Sequence, residues 1–205
     1  MKEKTRCTIY IVRHGQSVTN KHDTYGLDKP LTTIGINQAK KRALQFKNIP
    51  LNAVYSSNLI RAKQTAEIIA EPHNLKVVTL NSLKERFYGV LEGRKGSETK
   101  KEFLNLYEKR SQLGYDERIK FKFSQDYESD EEVKCRFFHS LKYLAKKNKG
   151  KIILVVSHAV TMKILLLYLK YATHKELDNR GFVNTGYVKL KLEKNDFIIE
   201  EVVGK

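Results

Sequence analysis

The sequence predicts a three-layer α/β/α sandwich, with a mainly parallel central sheet and helices on both faces. Two observations carry this. Short β-branched apolar runs alternate with stretches of helical periodicity, and one irregular, glycine-dotted segment interrupts that rhythm. Residues 7–12 are apolar, β-branched and aromatic, and read as a buried strand. A polar loop with Gly15, Gly26 and Pro30 follows. Thr32 or Thr33 then opens a helix to about residue 46, with Ile36, Ala39, Ala43 and Phe46 on one face. Residues 53–55 form a short strand. Asn58 is the expected N-cap of a helix that buries Ala62, Thr65, Ala66 and Ile69. Residues 75–80 are the next strand.

Residues 84–130 break the pattern. They hold Gly89, Gly93 and Gly96, a charged helix near 99–110, and a polar, aromatic-dotted stretch from 113 to 127. This region is expected to lie as a cap over one sheet edge, an insertion at about 86–128 within a single domain spanning 1–205. Ser129 and Glu132 have capping-box spacing before a helix that runs to about residue 147. Residues 151–156 make a buried strand and 160–171 a helix. Residues 187–192 and 197–202 make a closing hairpin around Lys194, Asn195 and Asp196.

Composition narrows the class. A chain of 205 residues with 40% hydrophobic and 30% charged content can bury a substantial core. No apolar run reaches the roughly 20 residues of a membrane span. The run at 7–12 is too short for a secretory signal, which points to a cytoplasmic protein with two unpaired thiols, Cys7 and Cys135. The formal charge of +16 suits an anionic partner. The lysines are scattered rather than blocked, so charge alone names none, and nucleic acid is disfavoured. The chain has no His-Glu-x-x-His, Cys-x-x-Cys or phosphate-loop pattern, so no metal and no cofactor is expected.

In parallel sheets, sites form at the carboxyl ends of strands. His14 and His158 follow the two most apolar strands, and His14 stands between Arg13 and Gly15. A histidine attacks phosphorus only when its ring is neutral and held in one tautomer, and a carbonyl in the turn around Gly15 could fix it. Arg13 offers a forked cation for phosphate oxygens, and Arg61, in the first turn of a helix, can face the same pocket. Two arginines can neutralise a transferring phosphoryl group without a metal. Glu85, just past a strand, is the candidate proton donor to the leaving alkoxide, with Glu92 its rival.

These residues resemble the histidine phosphatase superfamily, which includes the cofactor-dependent phosphoglycerate mutases. The match rests on Ile11-Val12-Arg13-His14-Gly15-Gln16-Ser17 with Asn20, and on Tyr55-Ser56-Ser57-Asn58-Leu59-Ile60-Arg61-Ala62. It continues in Leu83-Lys84-Glu85-Arg86-Phe87-Tyr88-Gly89 with Glu92-Gly93, and in Val155-Val156-Ser157-His158. The resemblance implies a phosphoglycerate mutase-like fold and His14 as the phosphorylated nucleophile. Arg13, Arg61 and His158 would bind the phosphoryl group, and Glu85 would donate a proton and then activate water. Gln16, Ser17 and Asn20 would lie near the phosphate or substrate, and Tyr88 would face the substrate. The chain also departs from the mutases. It has no tryptophan, and Ala159-Val160 follows the second histidine. These departures favour hydrolysis of a small phosphorylated metabolite over mutase activity. A non-catalytic basic binding protein is disfavoured, because a binder has no need of Glu85.

Overall fold

The computed structural model describes residues 6–178 and 182–204. Strand β1 (Thr8–Arg13) leads into a short helix α1 (Val18–Lys21) and then α2 (Thr33–Phe46). Next come β2 (Ala53–Ser57), α3 (Ile60–Ala70) and β3 (Val77–Leu80). Three helices follow: α4 (Gly96–Glu102), α5 (Leu104–Gln112) and α6 (Tyr115–Lys120). The long α7 (Asp130–Lys147) leads to β4 (Ile152–Ser157), α8 (Ala159–Tyr168) and α9 (His174–Asp178). The hairpin β5 (Tyr187–Glu193) and β6 (Asp196–Val203) closes the chain. The six strands lie in the order β3-β2-β4-β1-β5-β6. The first four are mutually parallel, and β5 and β6 add an antiparallel edge.

Alternation along the central strands builds two cores. Ile9, Ile11, Ile153 and Val155 turn to one face, against Phe137, Leu141 and Leu144 of α7 and Met162 and Leu165 of α8. Tyr10, Val12, Leu154 and Val156 turn to the other, against Phe46 of α2 and Ala62, Ala66 and Ile69 of α3. Strands covered on both faces have no solvent side, so β1 and β4 read as unbroken apolar runs. Each such side chain contributes about 1.5–3 kcal/mol on burial. The expected helix starts at Thr32 and Ser129 are present. Thr32 Oγ1 accepts from the Gly35 N–H at 3.1 Å, and Ser129 and Glu132 complete a reciprocal capping box.

Several local expectations give way. Asn58 does not cap α3, which begins two residues later. The Ile60 N–H instead donates to Asp28 Oδ1 at 2.8 Å, so a carboxylate from a distant loop does the work of a local cap. The charged helix expected near 99–110 is two helices broken at Phe103, whose ring joins an aromatic cluster with Tyr88, Leu91 and Tyr127. Helix α1 arises within the expected polar loop and α6 within the expected polar stretch. In α6, acidic Asp116 and Glu117 open the helix and basic Arg118 and Lys120 close it, which complements its dipole despite a weak apolar pattern.

The segment between β3 and α7 also lies elsewhere than over a sheet edge. It crosses the carboxyl ends of the central strands. Tyr25, in the loop after β1, accepts from the Gly93 N–H, donates from its own N–H to Arg94, and stacks beside Tyr88 at 4.8 Å. Val160, just past β4, packs into the same aromatic cluster.

Phe137 is 1% exposed at the centre of the larger core. Phe137→Ala is expected to cost about 3–5 kcal/mol in urea unfolding. A cost below about 1 kcal/mol would show that this core is not packed as described.

Candidate active site

The site begins where β1 ends. The His14 N–H donates to the Ser157 carbonyl at 3.1 Å, which ties the loop after β1 to the end of β4. The His14 carbonyl accepts from Asn184 Nδ2 at 3.0 Å. The Gly15 N–H donates to Thr65 Oγ1 at 3.0 Å, and that hydroxyl donates to the Arg61 carbonyl at 2.8 Å. Gly15 and Gly35 meet backbone to backbone. A Cβ on Gly15 would stand 2.4 Å from the Gly35 oxygen, and one on Gly35 would stand 2.0 Å from the Gln16 oxygen. Neither position accommodates a side chain without moving the loop.

The imidazole of His14 is 3% exposed and held at both nitrogens. Nδ1 lies 2.7 Å from the Gly15 carbonyl oxygen, and Arg61 Nε donates to Nε2 at 3.2 Å. A carbonyl only accepts and a guanidinium only donates, so the network assigns the proton to Nδ1 and the lone pair to Nε2. Burial, followed by the charges of Arg61 and Arg13, holds this ring well below the ordinary imidazole value of 6.5. It is therefore neutral at physiological pH.

His158, the N-cap residue of α8, places its ring centroid 5.0 Å from that of His14. It is wholly buried, and neither ring nitrogen has a protein partner. Burial first, then Arg61, holds it below the ordinary value as well. An orphaned donor at this depth is costly unless a ligand meets it.

Arg61 is 4% exposed. Besides the contact to His14, its Nη1 donates to the Leu27 carbonyl at 3.0 Å and lies 3.9 Å from Asp28 Oδ1. Arg13 donates from Nη1 to the Phe182 carbonyl, while its buried Nε has no partner. Burial lowers both guanidinium values, but from so high a start that both remain cationic.

Glu85 reaches the same place from the segment after β3. Its Oε2 accepts from the Val160 N–H at 3.1 Å. Its Oε1 accepts from the Thr161 N–H at 3.2 Å and lies 3.1 Å from Thr161 Oγ1. The carboxyl group thus docks on the N-terminus of α8, next to His158, where free N–H groups meet its oxygens. Tyr88 is buried beside it, and burial and the Glu85 charge push its phenol well above 10. Glu92 is also close. Its Oε1 accepts from the Tyr88 N–H at 2.9 Å, and burial raises its value.

The structure therefore brings His14, Arg13, Arg61, His158, Glu85 and Tyr88 together. Gln16, Ser17 and Asn20 sit in the adjoining loop with most of their groups already engaged. Gln16 Oε1 accepts from Thr32 Oγ1 at 2.8 Å. Ser17 caps α1, and its N–H donates to Asn20 Oδ1 at 3.1 Å. Asn20 Oδ1 also faces Asn184 Nδ2 at 3.3 Å, which leaves the Asn20 amide N–H groups for solvent or ligand. Asp28 carries no periodic signal in the sequence, and Thr65 is named there on the helix that follows β2 but without its bond to the Gly15 N–H.

A cavity of about 1160 Å3 opens beside the site, with Gly26, Asp28, Glu85 and Glu92 among its walls. A smaller chamber of about 260 Å3 lies under the cap, against Tyr25, Tyr88 and Val160. Among the described residues, no group of three or more His, Cys, Asp or Glu side chains is placed to hold a metal ion.

Two neutral buried histidines carry a pH signature. The unfolded chain binds protons on them below about pH 6.5 and the folded chain does not, so stability falls as pH drops through that value. Each adds a slope of up to about 1.4 kcal/mol per pH unit. Urea unfolding at pH 7.5 and 5.5 should show His158→Gln losing less stability than the unsubstituted protein over that interval. Equal losses would mean that His158 already takes a proton in the folded state.

Comparison with known proteins places the geometry. The sequence profile of the histidine phosphatase superfamily, branch 1, matches residues 9–203. Fructose-2,6-bisphosphatase TIGAR of Xenopus tropicalis is 41% identical over 102 residues, which are 46% of this chain and 37% of that protein. The chain thus matches well under half the length of that relative. A phosphoserine phosphatase from Entamoeba histolytica, solved with 3-phosphoglyceric acid, superposes with a TM-score of 0.78 at 26% identity, over 97% of this chain and 98% of that one. A phosphoglycerate mutase from Bacillus anthracis has the same fold, with a TM-score of 0.84 at 23% identity, over 99% of this chain and 95% of that one. With a profile spanning nearly all of the described residues and two buried histidines facing each other at adjacent strand ends, this chain belongs to the histidine phosphatase superfamily.

Proposed function

We propose that this protein is a metal-independent phosphomonoesterase that passes the phosphoryl group of a small phosphorylated metabolite through His14 to water. One observation carries the reading. His14 has its proton tied to the Gly15 carbonyl and its Nε2 lone pair directed at Arg61, inside a pocket that holds a second cation and a second imidazole. A ring so fixed has one nucleophilic atom and one orientation.

The residues divide the reaction as follows. The arriving phosphoryl oxygens take the Arg61 and Arg13 guanidinium groups, which releases Nε2 from its long contact with Arg61. One N–H of His158 meets a third oxygen and ends its lack of a partner. Nε2 attacks phosphorus as the P–O bond to the leaving group breaks, and Glu85 delivers a proton to the departing oxygen. Glu85, now a carboxylate, takes a proton from water. That water attacks the phosphohistidine, releasing phosphate and restoring His14. Positioning and charge neutralisation supply the rate, as phosphoryl transfer requires.

Tyr88, Gln16 and Asn20 contact the substrate in this reading, Ser17, fully buried in the α1 cap, shapes their loop, and residues 86–128 act as the cap that selects the substrate. Hydrolysis is favoured over isomerisation, because Val160 presents an apolar side chain to the aromatic cluster beside Glu85, where the mutases carry a polar contact. Two free thiols, Cys7 buried and Cys135 exposed, suit a cytoplasmic location.

Purified protein should release phosphate from p-nitrophenyl phosphate in the presence of chelator, and His14→Ala should lose at least about a thousandfold of that activity. Brief incubation with labelled substrate should trap an acid-labile, base-stable phosphoryl group on His14. Undiminished turnover in His14→Ala would overturn the proposal, and interconversion of phosphoglycerates without net hydrolysis would replace it with a mutase. Along a series from p-nitrophenyl to phenyl phosphate, Glu85→Gln should slow the poorer leaving groups more. Uniform slowing would remove Glu85 as the proton donor.

A further inference from the structure

Glu85 has an exacting task and a weak local support. It lies in the irregular stretch between β3 and the cap, preceded only by a single 3-10 turn at Asn81–Leu83. Such a stretch makes few backbone hydrogen bonds of its own, so what fixes it must come from elsewhere.

We propose that Arg136, on α7, is a positioning residue that aligns Glu85 for proton transfer. Its Nη1 donates to the Ser82 carbonyl at 2.9 Å and to the Lys84 carbonyl at 2.7 Å. Its Nη2 donates to the Glu85 carbonyl itself at 3.1 Å. The same guanidinium forms a two-pronged pair with Glu128, through Nε to Oε1 and through Nη2 to Oε2 at 2.9 Å. Glu128 then grips the far side of Glu85. Its Oε2 accepts from the Phe87 N–H at 3.1 Å, and its own N–H donates to the Phe87 carbonyl at 2.9 Å.

One side chain and its carboxylate partner thus hold the backbone on both flanks of Glu85, residues 82–84 and residue 87. The carboxyl group is held separately, by the N-terminus of α8 and by the Arg86 N–H, which donates to Oε1 at 3.0 Å. With the backbone fixed by α7 and the carboxylate by α8, the donor oxygen has little room to drift. A displacement near 1 Å at a proton-transfer centre is enough to lower rates severely. Arg136 makes none of the contacts that hold His14 or Arg61, so its loss should weaken the delivery of the proton more than the attack on phosphorus. A planar fork with several donors is needed to reach three carbonyls and a carboxylate together, and lysine offers only a point charge.

This inference rests on Glu85 being the proton donor, and the test separates the two. kcat/KM, which reports phosphorylation of the enzyme, is measured across the aryl phosphate series from p-nitrophenyl to phenyl for four proteins: unsubstituted, Glu85→Gln, Arg136→Gln and Arg136→Lys. Arg136→Gln should lose about tenfold or more on phenyl phosphate and no more than about threefold on p-nitrophenyl phosphate. Arg136→Lys should fall between. Equal losses on both substrates in Arg136→Gln, with Glu85→Gln still selective, would overturn the role of Arg136 alone and leave a merely structural one. Equal losses in Glu85→Gln would instead remove the proton-donor reading on which the inference stands. If Arg136→Gln does not fold, the same ratio in Arg136→Lys decides: a selective loss on phenyl phosphate supports the proposal, and an even one defeats it.

Discussion

His14 gives its one ring proton to the carbonyl of the next residue, and much of the surrounding structure exists to make that contact possible. The carbonyl can turn back on the ring only because Gly15 lies against Gly35, with no side chain between them. Thr65 fixes the Gly15 N–H, and Thr65 sits one turn beyond Arg61 on α3. The helix that holds the loop is therefore also the helix that delivers the cation to Nε2. Ser157 and Asn184 hold the two backbone groups of His14 from β4 and from the approach to β5. Four separate parts of the chain converge on one imidazole, and each is anchored by the mixed sheet beneath it.

Such a pocket gathers donors suited to an anion. The Arg61 guanidinium and two neutral imidazoles are buried together beside the half-buried Arg13, and the ring nitrogens of His158 have no hydrogen-bond partner. Asp28 stands 3.9 Å from Arg61 and is exposed, and the Glu85 oxygens are engaged with α8. The donors of the pocket match an anion with several acceptor oxygens. A phosphoryl group supplies it, and more fully as negative charge spreads over its oxygens during transfer. Donors already in place need no reorganisation at that moment, which is the physical basis of catalysis by a rigid cationic pocket.

Much of this was legible in the sequence, and the misses have physical causes. Strands β1 and β4 are covered on both faces, so their apolar runs are unbroken and the histidines that follow them stand out. Ser129 and Glu132 are three residues apart on one helix, a spacing that can be read directly. Asn58 failed as a cap because the competing acceptor, Asp28, comes from 32 residues upstream, and no local rule sees it. The break at Phe103 also has a tertiary cause, since its ring is drawn into the cluster around Tyr88. Nothing in the sequence sets Arg136 apart from the other basic residues of α7. Its value lies in three carbonyls more than fifty positions away. Contacts made by the backbone of irregular segments leave no periodic trace, and these are the contacts that orient Glu85.

The same distinction separates the parts of the site that tolerate change from those that do not. The cap is held by its own cluster of Tyr25, Tyr88, Leu91, Phe103 and Tyr127, and by Asp130, which receives both Arg86 and Arg110. Arg86 is 6% exposed, so this pairing is buried and loses much if one member is removed. None of these groups belongs to the two cores that flank the sheet. Substitutions on the chamber side of the cap can therefore alter what the leaving group meets without disturbing the tie between His14 and Gly15. Glu85 is the exception. It stands just before the cap segment, with its carboxyl group docked on α8 and its backbone on α7. It moves with the core, which keeps Glu85 in register with His14 whatever cap stands above them.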